Sequence, residues 1–234
     1  NDSIAIGITL AYTDVEDLFI EKIDMQEPNR YLYKGEYRLM DVHKEVIKVK
    51  GKRDHVEKVL STVHGPIISR SLVHSAKYIS LASKSLQPAK SLDGLWKINC
   101  AQNWKEFTQG VSDITATQLN FVYSDIENNI GIYVSGRVPV RKSGKGDFPV
   151  DGSIDSFEWV EEISHSDMPN ALNPDKKYII STNNKITSDS YPNYLGNSFM
   201  NGYRASRIEE MIKDAGTIDV NTCKEIQLDL KSIP

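Results

Sequence analysis

With 39% hydrophobic and 26% charged residues over 234 positions, the chain has an ordinary globular composition and enough length for a buried core. A net charge of −4 with scattered basic residues gives no footprint for nucleic acid, and the apolar runs are too short to span a bilayer. Two cysteines, Cys100 and Cys223, exclude a disulfide framework or a cysteine metal quartet and leave only a single bridge open.

The chain opens directly in an apolar segment, and Asn1–Leu10 is expected to be a buried strand. So abrupt a start, with no signal peptide in view, is expected of a chain whose upstream part has been lost. Asp17–Ile23 continues extended around Leu18, Phe19 and Ile20. Tyr31–Leu39 reads as a hairpin turning at Lys34-Gly35-Glu36, and Val42–Val49 with Val56–Val63 as a second around Gly51. The basic cluster from Lys48 to Arg53 falls in that solvated turn, and His64-Gly65-Pro66 should stop the strand before it. Leu81–Ser85 and Leu92–Cys100 are expected to be helical, as is Asn103–Val111, with Asn103 as N-cap. Gln118–Ser124 and Gly131–Ser135 return to strand about the turn Glu127-Asn128-Asn129. From Gly136 to about Ser198 the chain is rich in Gly, Pro, Ser and Asn. Its apolar residues, among them Phe148, Trp159, Ile163 and Tyr178, favour a long wrapped loop over a disordered linker. Arg204, Ile208, Met211 and Ile212 mark a closing amphipathic helix ended by Gly216, and Asp219 caps a last short helix.

Residues with chemistry are few. The histidines at 43, 55, 64, 74 and 165 show no zinc spacing, and His64 at a strand end suits a polar structural role. Gly144-Lys145-Gly146 lacks the strand and helix of a phosphate loop, and no Gly-x-Ser-x-Gly elbow is present. Asp14-Val-Glu-Asp17 could wrap a hard cation through carboxylate and carbonyl oxygens, or form a solvated acidic turn. Asn183-Asn184 follows the strand-like Tyr178–Thr182. An amide held there could donate to a developing oxyanion, or be a plain asparagine turn.

Taken in order, these segments resemble the penicillin acylase family of N-terminal-nucleophile hydrolases. The most specific stretch holds Gly136-Arg-Val-Pro-Val-Arg141, Phe148-Pro-Val-Asp-Gly152, Glu158-Trp159, Asn173-Pro174, Asn183-Asn184, Tyr191-Pro192, Leu195-Gly196 and Gly202-Tyr-Arg-Ala-Ser-Arg207. The opening strand, the Asp14–Phe19 turn, Thr62-Val-His-Gly-Pro66, Asn103-Trp104 and Asn120–Asp125 match in order before it, so the resemblance covers nearly the whole chain.

The resemblance implies an α+β fold of αββα type, two antiparallel sheets between helical layers and here partial, with core strands in 1–69, a small helical insertion in 70–116, and strands, long loop and closing helix in 117–234. It implies hydrolysis of linear amides of N-acyl compounds of penicillin, cephalosporin side-chain or acyl-homoserine-lactone type, by an N-terminal serine that also supplies its α-amino group as base. That serine is expected several tens of residues before Asn1, whose side chain cannot attack, so this chain alone is expected to be inactive. The family chain is also expected to run on beyond Pro234. By resemblance the oxyanion donors are the Leu10 backbone N–H and the Asn183 side chain, supported by Arg204, while Ile8 and Leu119 line the acyl pocket. Asp14, the Glu16 carbonyl and Asp17 fall on calcium positions. Asn193-Tyr194-Leu195 stands where calcium-binding relatives have a further carboxylate, so a weakened or empty structural site is expected. A smaller subunit from the same precursor is the implied partner, self-association through exposed strand edges is expected, and a periplasmic or secreted location is suspected. The competing reading is a non-catalytic binding module built on an acylase core.

Overall fold

The computed structural model describes residues 1–69, 72 and 77–232, so His74 lies outside the described residues. In chain order, β1 (Ile4–Leu10) and β2 (Glu16–Glu21) precede two hairpins, β3 (Arg30–Tyr33) with β4 (Glu36–Leu39), and β5 (Asp41–Ile47) with β6 (His55–Thr62). The first hairpin turns through Lys34 and Gly35 at φ 52° and 83°, the two-residue geometry that matches strand twist. β6 stops at Thr62, ahead of His64-Gly65-Pro66 as expected, but the chain does not leave the sheet. It doubles back, and β7 (Gly65–Pro66) pairs with β6. Gly65 has φ +124°, and a Cβ there would sit 2.2 Å from the Leu81 carbonyl oxygen, so only glycine permits the reversal.

β8 (Tyr78–Ser83) corrects the helical expectation for Leu81–Ser85: it pairs antiparallel with β2, Leu81 opposite Leu18, and only Lys84–Leu86 forms a 3₁₀ turn. Such a short run carries too little periodicity to separate helix from strand, and a partner distant in sequence decided. Then come α1 (Ser91–Cys100) and α2 (Trp104–Ser112), whose N-cap Asn103 accepts the Glu106 N–H as expected. β9 (Leu119–Asp125) and β10 (Ile130–Val134) form the next hairpin. The stretch after Gly136 is neither linker nor plain loop. It holds β11 (Pro139–Arg141), β12 (Val150–Asp151), β13 (Trp159–Glu162) and β14 (Asn170–Leu172). Phe148, expected as an anchor, is exposed, whereas Ile163 and Met168 are buried. α3 (Tyr203–Ala215) and α4 (Val220–Leu228) close the chain, the latter capped by Asp219 as expected. Cys100 and Cys223 are both free and exposed, so the bridge left open by the sequence is not formed.

The architecture is α+β with largely antiparallel pairing, β12 on β2 being parallel. It divides into two compact units that interleave along the chain rather than following consecutive stretches: Asn1–Asp14, Pro88–Val138 and Ile163–Pro234 in one, Val15–Gln87 and Pro139–Glu162 in the other.

The first unit is built on the sheet β1-β9-β10-β14. Phe107 of α2 packs its ring against Phe121 and Tyr123 of β9, and Trp104 against Tyr123 and Tyr133. Gly131 of β10 makes room for the Trp104 ring, which a Cβ would meet at 2.3 Å. β1 is an edge strand, and this corrects the expectation of burial: Ile6, Ile8 and Leu10 are 37%, 48% and 51% exposed. Apolar sequence marks a strand that wants cover, and does not say where the cover comes from.

The second unit contains the sheet β12-β2-β8, the sheet β5-β6-β7 and the pairs β3-β4 and β11-β13. Tyr31, Tyr33 and Met40 form a small core with Ile23, Leu60 and Ile67 against it. Much of the remaining interior is charged.

Candidate functional site

The two expected oxyanion donors meet at the end of β1. Ala11 N–H donates to the Gln118 carbonyl, and Leu10 lies opposite Leu119, so Leu10 occupies a non-hydrogen-bonded pair of the β1–β9 ladder. In such a pair both backbone groups point away from the partner strand. The Leu10 N–H and C=O therefore face the open edge of the sheet. The Asn183 amide arrives on that side, its Nδ2 donating to the Leu10 carbonyl at 3.0 Å.

Two devices hold Asn183. Its backbone has φ +67°, a left-handed conformation that asparagine tolerates better than most side chains. Thr182 donates through N–H and hydroxyl to Asn184 Oδ1, and Met200 N–H donates to the Asn183 carbonyl, so the turn is closed by its neighbours. From the first turn of α3, Arg204 donates to Asn183 Oδ1 at 2.9 Å and to the Thr182 carbonyl at 2.6 Å. A guanidinium can only donate, so it fixes the amide with oxygen toward Arg204 and nitrogen toward Leu10. Nδ2 carries two protons and spends one on the Leu10 carbonyl, which leaves the second available at the strand edge.

A polar layer not legible in the sequence lies beneath this corner. Asn120 is buried in β9, and its Nδ2 lies 3.1 Å from Thr9 Oγ1, 3.1 Å from Ser181 Oγ and 3.3 Å from the Leu10 carbonyl. Thr9 and Ser181 hydroxyls are themselves 2.5 Å apart. The available signal was an asparagine between Leu119 and Phe121 in an otherwise apolar strand, since a buried amide there must have partners.

Ile8 and Leu119 project to the same face of the sheet, as side chains of non-hydrogen-bonded pairs one step apart, Ile8 opposite Phe121 and Leu119 opposite Leu10. Leu119 is half-buried and Ile8 is open at the edge.

Of the residues at calcium positions, Asp14 belongs to the first unit, while Glu16 and Asp17 belong to the second. Asp17 is buried rather than solvated. Arg141 grips its carboxylate from Nε (2.8 Å to Oδ2) and Nη2 (2.9 Å to Oδ1), and the Trp159 indole N–H donates to Oδ2. Glu16 accepts from the Ser83 hydroxyl. Among the described residues no group of three or more His, Cys, Asp or Glu could hold a metal ion.

His64 has the structural role its position suggested. It stacks on Phe19 at 3.9 Å between ring centroids and sits between two carboxylates, Nδ1 2.9 Å from Glu21 and Nε2 3.2 Å from Glu158. Thr62 and Ser80 hydroxyls also donate to Glu21 Oε1. Burial opposes the charge on both partners, yet their mutual hydrogen bond and attraction outweigh it. His64 is raised above its ordinary pKa and Glu21 is lowered below its own.

The braced amide and the outward-facing backbone N–H thus stand side by side at one strand edge. The family model for penicillin amidase matches residues 1–234. The chain belongs to the penicillin amidase family. It is 28% identical to penicillin acylase 2 proenzyme of Pseudomonas sp. (strain SE83), over 99% of this chain and 30% of that protein. It is also 28% identical to the acyl-homoserine lactone acylase QuiP of Pseudomonas aeruginosa, over the whole of this chain and 29% of the relative. Among solved structures, a thermostable penicillin G acylase from Alcaligenes faecalis superposes with a TM-score of 0.80 at 25% identity, covering 97% of this chain and 40% of the other. The chain thus spans less than a third of the length of these curated relatives.

Proposed function

We propose that this chain is the oxyanion-binding portion of an acylase that hydrolyses linear amides of N-acyl compounds. The observation that carries the reading is the pairing at the β1 edge: the Leu10 N–H faces outward where Arg204 holds the Asn183 amide. Two fixed donors converging on one point suit the oxygen of a tetrahedral intermediate, where charge develops. The attacking group is an N-terminal serine outside these 234 residues. Its α-amino group takes the hydroxyl proton as Oγ adds to the amide carbonyl, the proton passes to the leaving amine, and water then cleaves the ester. Asn1 has no part in attack: its side chain is engaged with the Asn99 and Ala101 carbonyls and the Ser3 and Ile4 N–H groups.

The proenzyme name of the Pseudomonas relative supports processing of a precursor, and a smaller subunit from that precursor completes the proposed enzyme. The acylase names of the relatives, for penicillin and for acyl-homoserine lactones, support an N-acyl substrate. Ile8 and Leu119 favour an apolar acyl group. Without the rest of the enzyme, the open edge of β1 is where a second copy would add a strand. No step runs through calcium, because Asp17 is already spent on Arg141 and Trp159.

The test is steady-state kinetics of the full-length protein on a panel of acyl amides. Asn183→Ala should lower kcat about 10²- to 10³-fold with KM within a few-fold of wild type. A protein that cleaves none of the panel, or whose kcat ignores this substitution, would refute the reading.

A further inference from the structure

The oxyanion reading leaves a geometric problem. Leu10 sits at the end of an edge strand, Asn183 sits in a loop more than a hundred residues later, and both must hold their place to a fraction of an ångström. Arg204 fixes the orientation of the Asn183 amide, but its hydrogen bonds go to Asn183 Oδ1 and the Thr182 carbonyl, both on the loop itself. Something else must set the strand end and the loop against each other.

One buried side chain reaches both. Asn120 is 1% exposed and comes from β9, which is flanked on both sides by hydrogen-bonded strands and is therefore the rigid part of the sheet. Its Nδ2 meets the Leu10 carbonyl and the Thr9 hydroxyl on β1, and the Ser181 hydroxyl two residues before Asn183. The direction of the amide is forced, because a backbone carbonyl can only accept and so the nitrogen must face Leu10. Among the described residues its buried Oδ1 has no hydrogen-bond partner, an arrangement that costs free energy and persists only where the nitrogen's contacts are held in place. The Leu10 carbonyl receives Asn120 and Asn183 together, so one oxygen links the buried amide to the catalytic one.

We infer that Asn120 is a positioning residue for the oxyanion donors: it locks the Leu10 peptide and the Ser181–Asn183 segment to the central strand. It does not touch the reacting atoms. This rests on the proposed acylase function and deepens it. A donor displaced by about an ångström can cost up to about a hundredfold in rate, and the loss falls on the chemical step rather than on substrate binding.

The experiment compares kcat, KM and melting temperature of the full-length protein with those of Asn120→Ala, Asn120→Asp, Asn183→Ala and the double variant Asn120→Ala/Asn183→Ala. An Ile98→Ala variant, in the packing of α1 against α2, serves as a control for simple loss of stability. Asn120→Ala should lower kcat about ten- to a hundredfold with KM little changed. Asn120→Asp should do the same despite its matching size, because it sets a carboxylate oxygen against the Leu10 carbonyl, which can only accept. The double variant should be hardly slower than Asn183→Ala alone, while Ile98→Ala should melt earlier with its kcat intact. An unchanged kcat in Asn120→Ala, or losses that multiply in the double variant, overturns the inference while Asn183→Ala remains slow. If Asn183→Ala is itself unaffected, the functional reading fails and the inference goes with it. Should Asn120→Ala not fold, Ser181→Ala decides in its place: a kcat loss of a few-fold at constant KM supports the inference, and wild-type kcat overturns it.

Discussion

The two compact units bury polar groups in opposite ways. In the first, the polar layer around Asn120 is neutral: two amides, two hydroxyls and a backbone carbonyl, with donor capacity left over at the strand edge. In the second, the buried polar groups are ionic and occupied by one another, Asp17 with Arg141 and Trp159, Glu21 with His64. Among the described residues Glu21 Oε2 keeps no hydrogen-bond partner, but charges already paired with their neighbours are poor partners for a substrate. A neutral network with a spare proton at an open edge can serve one. Perturbed charge alone does not separate the units, since pKa shifts mark structural ion networks as readily as active sites and occur in both.

The comparison breaks first at Arg141. Its guanidinium and the Asp17 carboxylate are 4% and 5% exposed, so Arg141→Ala would leave a buried carboxylate with the Trp159 indole but without its cation. Breaking a buried pair on one side costs about 3–5 kcal/mol. Urea denaturation should show a loss of that size. A loss below about 1 kcal/mol would mean that the second unit does not depend on its charges.

The next effect is a pH dependence. His64, raised in the folded state, stabilises fully below its ordinary value of 6.5 and loses that contribution as pH rises through the raised value. Glu21, lowered in the folded state, contributes fully above 4.5 and loses that contribution as pH falls through its lowered value. Both contributions are complete between 4.5 and 6.5. The urea midpoint should therefore fall between pH 5.5 and pH 8.5, and His64→Gln should flatten that decline. Parallel pH curves for the two proteins would show that the pair carries no linkage.

The smallest effect belongs to the neutral network. Thr9→Val keeps the shape of the side chain and removes a hydroxyl that meets Asn120 and Ser181. A neutral hydrogen bond contributes about 0.5–1.5 kcal/mol net, so the loss should lie near 1 kcal/mol and hardly change with pH or salt. A loss as large as that of Arg141→Ala would erase the distinction between the two units.

Local chemistry determined much of this protein from the sequence alone. The hairpin at Lys34-Gly35, the Asn103 and Asp219 caps, the closing helix and the β9–β10 hairpin all depend on neighbours within a few residues, and each formed where its residues indicated. The family resemblance, carried by ordered motifs over the whole chain, was legible too. Tertiary structure decided whatever needed a partner far along the chain. Leu81 became strand because β2 was there to pair with it, and β1 was left at an edge although its apolar pattern matched that of a buried strand. Asp17 turned from a solvated carboxylate or cation ligand into half of an ion pair when Arg141 came within reach. The role of Asn120 was invisible for the same reason: the sequence shows an amide in an apolar strand, and only the fold brings Thr9, Leu10 and Ser181 around it.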